Sequence, residues 1–323
     1  MTLSAGARFD VISATADSYV DGVPGSVEDY FEVDSLDRDF YLWSLFLSAE
    51  QKLNNNWTMT LGAGHGQRPP TLTELYAMSS FIGSLQRGLT ALNGDPLLKE
   101  ERLTQIDFGL QGNFDKARFG AHSYFSWIDD MITYDSLSPS GGAGGVGGFP
   151  VSAQFVNTDH AILAGFETYG EVDLLPCLTS FGTISYIEGR DLGRNKSSRF
   201  GGSGDDRSGI TDRSHESLPG ITPLESRLGL RLHDPTPKQT WGLELAARIV
   251  DRQNRVATSL EEIQTPGFTT YDMRFFKRHG PWLFTAGIEN ITNKYYREHL
   301  DYRSGRGVFR PGVNFYSGVE LTY

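Results

Sequence analysis

Apolar residues recur at every second position in segment after segment of this chain, and that spacing constrains the fold more than any other feature. In residues 57–64, Trp, Met, Leu and Ala alternate with Thr and Gly, and residues 105–111, 241–249 and 282–289 repeat the period of two. Successive side chains of a β-strand point to opposite faces, so each segment has one apolar and one polar face. The sequence therefore predicts an all-β fold.

About twelve segments of this kind can be distinguished, each close to the length that a tilted strand needs to cross a membrane. They lie near residues 2–14, 40–53, 57–67, 102–114, 118–134, 161–174, 178–187, 226–233, 240–250, 270–278, 282–289 and 313–323. The seventh is the least regular, because Phe181 and Ile187 fall outside its apolar register.

The connections between these segments alternate in length. The short ones are residues 54–56, 115–116, 176, 235–237 and 279–281, and the long ones are residues 17–39, 68–101, 135–154, 188–225, 251–269 and 290–312. Bacterial outer-membrane barrels show this alternation, with short periplasmic turns and long extracellular loops. We therefore expect an antiparallel transmembrane β-barrel portion, located in the cell outer membrane of a Gram-negative-type bacterium.

The polar faces carry charged and amide groups, among them Gln105, Asp107, Gln111, Glu167 and Glu244. An unpaired charge in a dry core costs several kcal/mol, whereas a wet or plugged lumen avoids that cost. The polar faces are therefore expected to line a lumen and the apolar faces to contact outer-membrane lipid. Aromatic residues near the strand ends are expected to form interfacial girdles: Tyr41, Trp57, Trp127, Trp241, Tyr271 and Trp282.

The composition excludes several other classes. Lys and Arg number 29 against 40 Asp and Glu, and the resulting net charge of −11 argues against a nucleic-acid partner. The single cysteine, Cys177, excludes an intrachain disulfide framework. The seven histidines are scattered and nothing resembles a nucleophile elbow, so neither an enzyme nor a bound cofactor is expected.

Four motifs resemble the barrel of TonB-dependent outer-membrane receptors and keep that family's order. Residues 64–76 contain Arg-Pro-Pro followed by Glu-Leu-Tyr, residues 93–102 resemble Asn-Pro-x-Leu-Lys-Pro-Glu, and residues 157–167 end on Gly-Phe-Glu. Residues 289–296, Glu-Asn-Ile-Thr-Asn-Lys-Tyr-Tyr, resemble the family's penultimate-strand motif. Glu100 replaces the proline of the second motif.

The resemblance implies a receptor for the energised uptake of a metal chelate (ferric siderophore-like) or a similar scarce nutrient. Family barrels have about 22 strands around a plug, so residues 1–323 are expected to be a C-terminal barrel part, without the plug, the TonB box or the signal peptide. The implied partners are the TonB complex of the inner membrane, acting through the plug, the barrel assembly machinery and the small ligand. The alternatives are a copper-specific receptor of the same family, a smaller free-standing barrel that is a passive pore or a hydrolase, and a soluble carbohydrate-binding protein.

Candidate ligand contacts come from the long loops: Arg68, Tyr76, Arg297, His299 and Arg303. The arginines suit an anionic chelate through charge-assisted contacts, or alternatively lipid headgroups. His299 is the candidate metal ligand, because residues 295–300 resemble the copper-receptor branch of the family. The alternative is a histidine that only makes hydrogen bonds within its loop.

The last segment carries a further signal. Phe315, Val319, Leu321 and the terminal Tyr323 share one face of the predicted strand. A terminal aromatic residue after an alternating strand resembles the signal by which outer-membrane barrels are recognised for assembly. The alternative is an ordinary closing strand.

Overall fold

The computed structural model describes residues 1–17, 26–78, 80–86, 88–136, 152–193, 216–236, 238–260, 262–303 and 306–322. Most of these residues lie in β-strands, as the alternation predicts. Within those ranges, no helix has the length and the apolar character needed to span a membrane.

The strands follow in chain order. They are β1 Thr2–Ala14, β2 Arg38–Lys52, β3 Trp57–Arg68, β4 Ser80–Leu85, β5 Gly88–Asn93, β6 Glu101–Phe114, β7 Ala117–Ser136, β8 Ser152–Leu175, β9 Leu178–Asp191, β10 Glu216–Ser217, β11 Glu225–His233, β12 Trp241–Val250, β13 Phe268–His279, β14 Trp282–Glu289, β15 Tyr302–Arg303, β16 Arg306–Gly307 and β17 Asn314–Leu321. The described helices are α1 Val27–Phe31, α2 Leu72–Tyr76 and a 3-10 turn, Thr258–Leu260.

One sheet dominates the fold. Its strands run in the order β1-β2-β3-β6-β7-β8-β9-β11-β12-β13-β14-β17, and neighbours along this path are antiparallel. Twelve strands form the path within the described residues, which confirms the expected number. In the same residues β1 pairs only with β2, and β17 pairs only with β14. The structure is thus an antiparallel barrel portion whose two edge strands are open.

The register separates the side chains into two faces, as predicted. Asp107 of β6 pairs with Gly62 of β3 and Tyr124 of β7, and this set forms the polar face. The opposite set forms the apolar face, where Ile106 and Phe108 are 49% and 41% exposed. Large apolar side chains that stay exposed over a whole sheet face indicate a surface that contacts something other than water.

The six aromatic residues expected to form girdles all lie on the apolar face, because each shares the register of the exposed apolar set. Trp57, Trp241 and Trp282 begin strands that follow short turns. Tyr41 and Tyr271 lie near the long-loop ends of β2 and β13. The aromatic residues therefore occur towards both ends of the sheet.

The seventh segment of the path, β9, shows why its sequence is irregular. Phe181 lies on the polar face, where the guanidinium carbon of Arg231 is 5.1 Å from its ring centroid. Ile187 lies on the same face and packs against a buried cluster that includes Leu218 and Ile221. Both residues therefore pack against groups on the polar face, which a pattern within one strand does not reveal.

The buried apolar residues are concentrated where the long loops meet the strands. Leu75 of α2, Leu92 of β5 and Leu98 are at most 1% exposed, and they pack with Phe40 of β2 and Phe155 of β8. This cluster covers the polar face at the long-loop end. The described loop residues around this cluster are therefore packed against the sheet.

Candidate functional site

Arg68 ends β3 and joins four elements at the long-loop end. Its Nη1 donates to Glu74 Oε2 of α2 at 2.8 Å, and its Nη2 donates to Glu101 Oε2 of β6 at 3.2 Å. The same Glu101 oxygen accepts the backbone N–H of Ile132 in β7 at 2.9 Å. Glu74 also completes a capping box with Thr71, which fixes the start of α2. Arg68 is thus an ion-paired residue that positions α2 on the sheet.

Tyr76, the last residue of α2, points into the packed loop region. Its hydroxyl donates to the carbonyl oxygen of Leu36 and lies 3.4 Å from that of Ala14. Burial disfavours the phenolate and raises the pKa of Tyr76 above its ordinary value. The neutral hydroxyl therefore ties α2 to the chain on both sides of the first long loop.

His299 is buried at the centre of a second loop assembly, with a side chain only 1% exposed. Its Nε2 lies 3.2 Å from Glu262 Oε1, and its Nδ1 lies 3.0 Å from the Thr265 hydroxyl. Glu262 in turn accepts the backbone N–H groups of Gly220 at 2.9 Å and Ala257 at 2.6 Å. Both ring nitrogens of His299 are therefore engaged by protein groups. We call these five residues the His299 cluster.

Gln86, between β4 and β5, extends the His299 cluster to another loop. Its Nε2 donates to the backbone carbonyl of His299 at 3.0 Å, and its Oε1 accepts the N–H of Ile263 at 2.6 Å. Through these contacts, the connections β4–β5, β10–β11, β12–β13 and β14–β15 meet at one point.

Glu262 is ionised in this setting. Burial alone raises the pKa of Glu262, but the hydrogen bonds from His299 and from the Ala257 and Gly220 amides outweigh it and hold the pKa below its ordinary value. The cluster therefore contains a buried carboxylate that depends on three donors.

An ion-pair network lies beside the His299 cluster. Arg248 of β12 contacts Glu225 Oε2 of β11 at 2.7 Å and Glu298 Oε1 at 2.6 Å. Arg310 contacts Asp301 Oδ2 at 3.2 Å and Glu298 Oε1 at 4.0 Å. The network fastens the loop after β14 to the polar face. The alternation places Arg248 on that face, but it does not identify Glu298 as its partner.

The two remaining candidate arginines lie in the same loop. Arg297 is partly buried, and its guanidinium packs against Gly307 of β16, where an added Cβ would lie 2.5 Å from Nη1. Arg303 belongs to the small β15–β16 hairpin, in which it pairs with Arg306, and its side chain lies outside the described part of the structure.

The candidate assembly residues lie on β17. Phe315, Val319 and Leu321 share its apolar face and are 72%, 62% and 47% exposed. Tyr323 lies outside the described residues.

Within the described ranges, no group of three or more His, Cys, Asp or Glu side chains is arranged to hold a metal ion. Most of the charged side chains described at the long-loop end form ion pairs, and these ion pairs hold the described loop residues in place.

Comparison with known proteins supports this picture at the level of the fold. The family model described as "TonB dependent receptor-like, beta-barrel" matches residues 1–291. A comparison with curated protein sequences gave no match.

Among solved structures, the copper transporter OprC superposes with a TM-score of 0.76 at 23% identity, covering 99% of this chain and 45% of OprC. The FrpB iron transporter from Neisseria meningitidis gives 0.63 at 13% identity, covering 98% of this chain and 42% of FrpB. The ferric enterobactin receptor PfeA from Pseudomonas aeruginosa gives 0.57 at 18% identity, covering 88% of this chain and 41% of PfeA. The chain therefore spans less than half the length of each of these structures.

Proposed function

Because the chain belongs to the family of TonB-dependent receptor-like β-barrels, we propose that it forms part of the wall and the long loops of an outer-membrane receptor. In this proposal residues 1–323 are the C-terminal barrel part, the apolar face contacts outer-membrane lipid, and the polar face lines the lumen. The receptor takes up a metal chelate of the ferric siderophore type or a similar scarce nutrient. It binds and transports this ligand without a chemical step on it.

The observation that carries the proposal is the locking of the described loop residues into two packed assemblies, one at Arg68 and one at the His299 cluster. Arg68 fixes α2, and the His299 cluster together with Gln86 joins four connections that are distant in sequence. A loop assembly that is ordered before binding spends less conformational entropy when the ligand arrives, and this raises affinity. A receptor that captures a scarce nutrient needs such affinity, whereas a passive pore does not.

The structure supports two kinds of role for the candidate residues. Arg68, Tyr76 and His299 are held by protein partners, and we assign them to positioning the loops. Arg297 and Arg303 lie in the loop after β14, and we assign them to contact with an anionic chelate through charge-assisted hydrogen bonds. Metal ligation by His299 would require Glu262 or Thr265 to release a ring nitrogen, so we favour the positioning role.

In this proposal, the TonB complex of the inner membrane supplies the energy that releases the bound ligand. It acts through a plug within the same receptor. The barrel assembly machinery is the second protein partner. We propose that it recognises the face formed by Phe315, Val319, Leu321 and Tyr323.

The decisive experiment measures uptake by the receptor that contains this chain, expressed in a host from which the competing receptors have been deleted. The panel consists of a ferric catecholate, a ferric hydroxamate and a copper chelate, each with and without a functional TonB complex. We expect uptake of a ferric chelate that requires TonB. If the copper chelate is the only member of the panel that is taken up, the proposed substrate is a copper chelate and not a ferric chelate. Uptake that is independent of TonB would indicate a passive pore.

A further inference from the structure

One stretch of the sheet, beside the upper part of β9, has no regular ladder. Ser217 of β10 pairs with Arg190, and Glu225 of β11 pairs with Ser185. Between these two pairs the chain advances eight residues while β9 advances five, so residues 218–224 bulge out of the ladder. We call residues 218–224 the bulged segment.

Proline prevents the bulged segment from pairing with β9. Continuing the β9–β11 register would place Pro223 opposite Ile187. Gly189, two residues along β9, accepts the N–H of Leu218 at 3.1 Å, so the Ile187 carbonyl faces the bulged segment as well. Proline has no N–H, although a strand carbonyl needs a donor from its neighbour. Pro219 removes a second donor from the same segment.

Side chains hold the bulged segment where backbone bonds are missing. Among the described residues, positions 219–223 make no backbone–backbone hydrogen bond. Gln253 Nε2 donates to the Ile221 carbonyl oxygen. Arg255 Nη2 donates to the Thr222 carbonyl oxygen at 3.3 Å. Both donors belong to the connection between β12 and β13, so side chains from another loop fasten the segment.

Arg255 also joins the bulged segment to β9. Its Nη1 donates to the Ile187 carbonyl oxygen at 2.6 Å, and this is the acceptor that Pro223 cannot serve. The same Nη1 lies 2.7 Å from Glu188 Oε2, and the guanidinium carbon lies 4.5 Å from the ring centroid of Tyr186. The side chain of Arg255 is only 17% exposed. A planar guanidinium has five N–H donors in a fixed geometry, which allows one side chain to serve these several acceptors.

The bulged segment supports the His299 cluster in turn. The Gly220 amide donates to Glu262 at 2.9 Å, and Gly220 is two residues from the Thr222 carbonyl that Arg255 holds. Loss of the Arg255 contacts therefore frees the stretch of backbone that carries this donor.

We propose that Arg255 is a positioning residue, which holds the bulged segment to β9 in place of Pro223, and that this contact is the point where the loop assembly detaches from the sheet. A ladder of backbone bonds would fix the segment along its whole length. A single side chain instead allows the segment to open while the strands on either side stay paired. The inference concerns a movement of the chain itself and does not depend on which ligand the receptor takes up.

The test measures hydrogen exchange of the Leu218 and Gly220 amides in the receptor that contains this chain, reconstituted in lipid nanodiscs. Arg255→Gln removes the charged donor, and exchange of both amides is expected to accelerate by roughly tenfold or more. Arg252→Gln is the matched control, because Arg252 lies in the same connection but is exposed, and its side chain makes no hydrogen bond or ion pair among the described residues. The control is expected to change exchange by less than about threefold.

A second substitution restores the missing donor. Pro223→Ala supplies a backbone N–H opposite the Ile187 carbonyl, so Arg255→Gln combined with Pro223→Ala is expected to regain most of the protection of Gly220. Pro223→Ala alone should change exchange little, because Arg255 already serves that carbonyl. Arg255→Lys keeps a charge beside Glu188 without the planar fork, and its exchange is expected to lie between those of the parent and Arg255→Gln.

The outcomes separate positioning from general stabilisation. Equal exchange in Arg255→Gln and Arg252→Gln would overturn the proposal. A loss of protection in β8 and β12 as large as that at Gly220 would also overturn it, because Arg255 would then stabilise the whole sheet. Failure of Pro223→Ala to restore protection would show that the Ile187 carbonyl is not the point of attachment. Heat-modifiable gel mobility verifies that each variant is folded.

Discussion

Replacing His299 with alanine tests whether the long loops are held together at one buried point. The substitution removes the ring that donates to Glu262 and contacts Thr265, and it leaves a carboxylate that is only 6% exposed. The Gly220 and Ala257 amides still donate to that carboxylate. The loops should therefore remain folded most of the time but open more often.

The size of the effect follows from these contacts. A hydrogen bond to a charged group contributes about 1.5–3 kcal/mol. Because Glu262 is buried and two amides still donate to it, we expect a loss near the upper end of that range, about 3 kcal/mol of local opening free energy. This loss corresponds to a roughly 100-fold faster exchange of protected loop amides.

Hydrogen exchange measures this opening directly. The Gly220 and Ala257 amides should lose protection in His299→Ala, while amides of β12 keep theirs, and His299→Gln should recover part of the loss by donating to Glu262. His160→Ala is the matched control, because His160 also contacts a carboxylate, that of Asp129, but the two side chains are 68% and 48% exposed. Exposed pairs contribute about 0–1 kcal/mol, so this control should leave loop exchange almost unchanged. Unchanged protection in His299→Ala would refute the central role of the cluster.

Three other predictions concern the pH dependence of loop opening, the two faces of the sheet and assembly. The pKa of Glu262 is lowered in the folded state, so the contribution of its carboxylate to loop stability is present above the ordinary glutamate pKa and is lost as the pH falls through the folded value. Exchange of the loop amides should therefore accelerate on acidification. An acceleration on raising the pH would contradict this assignment. Spin labels at Asp107 and Phe108 should show opposite lipid accessibility in bilayers, and equal accessibility would exclude a sheet with one lipid-facing side. In the receptor that contains this chain, Tyr323→Asp should lower the heat-modifiable, folded outer-membrane fraction and Tyr323→Phe should not; normal assembly of the aspartate variant would reduce Tyr323 to the end of a strand.

The twelve strands of the main path could be placed from the sequence because their signal is local, although β8 begins at Ser152 rather than near residue 161 and the predicted loop at residues 68–101 contains β4 and β5. Alternation places β1 at residues 2–14, as the structure does, and it separates Asp107 from Phe108 correctly. The hydrogen bonds of a strand are made by backbone groups that every sequence provides, so the side-chain pattern alone determines which face is apolar. The same reasoning marks Phe181 as an exception, and only the structure shows that Arg231 covers it.

The loop assembly could not be predicted, because its partners share no period and lie far apart in the chain. His299 meets Glu262 across 37 residues and Gln86 across 213 residues. The sequence identifies His299 as a polar residue in a loop, which is equally compatible with a metal ligand and a hydrogen-bonded histidine. Burial distinguishes the two roles, since a ring with both nitrogens engaged can bind a metal only after giving up a buried hydrogen bond to Glu262 or Thr265. The partners of the loop residues are therefore set by contacts that the fold topology creates, and no local pattern in the sequence identifies them.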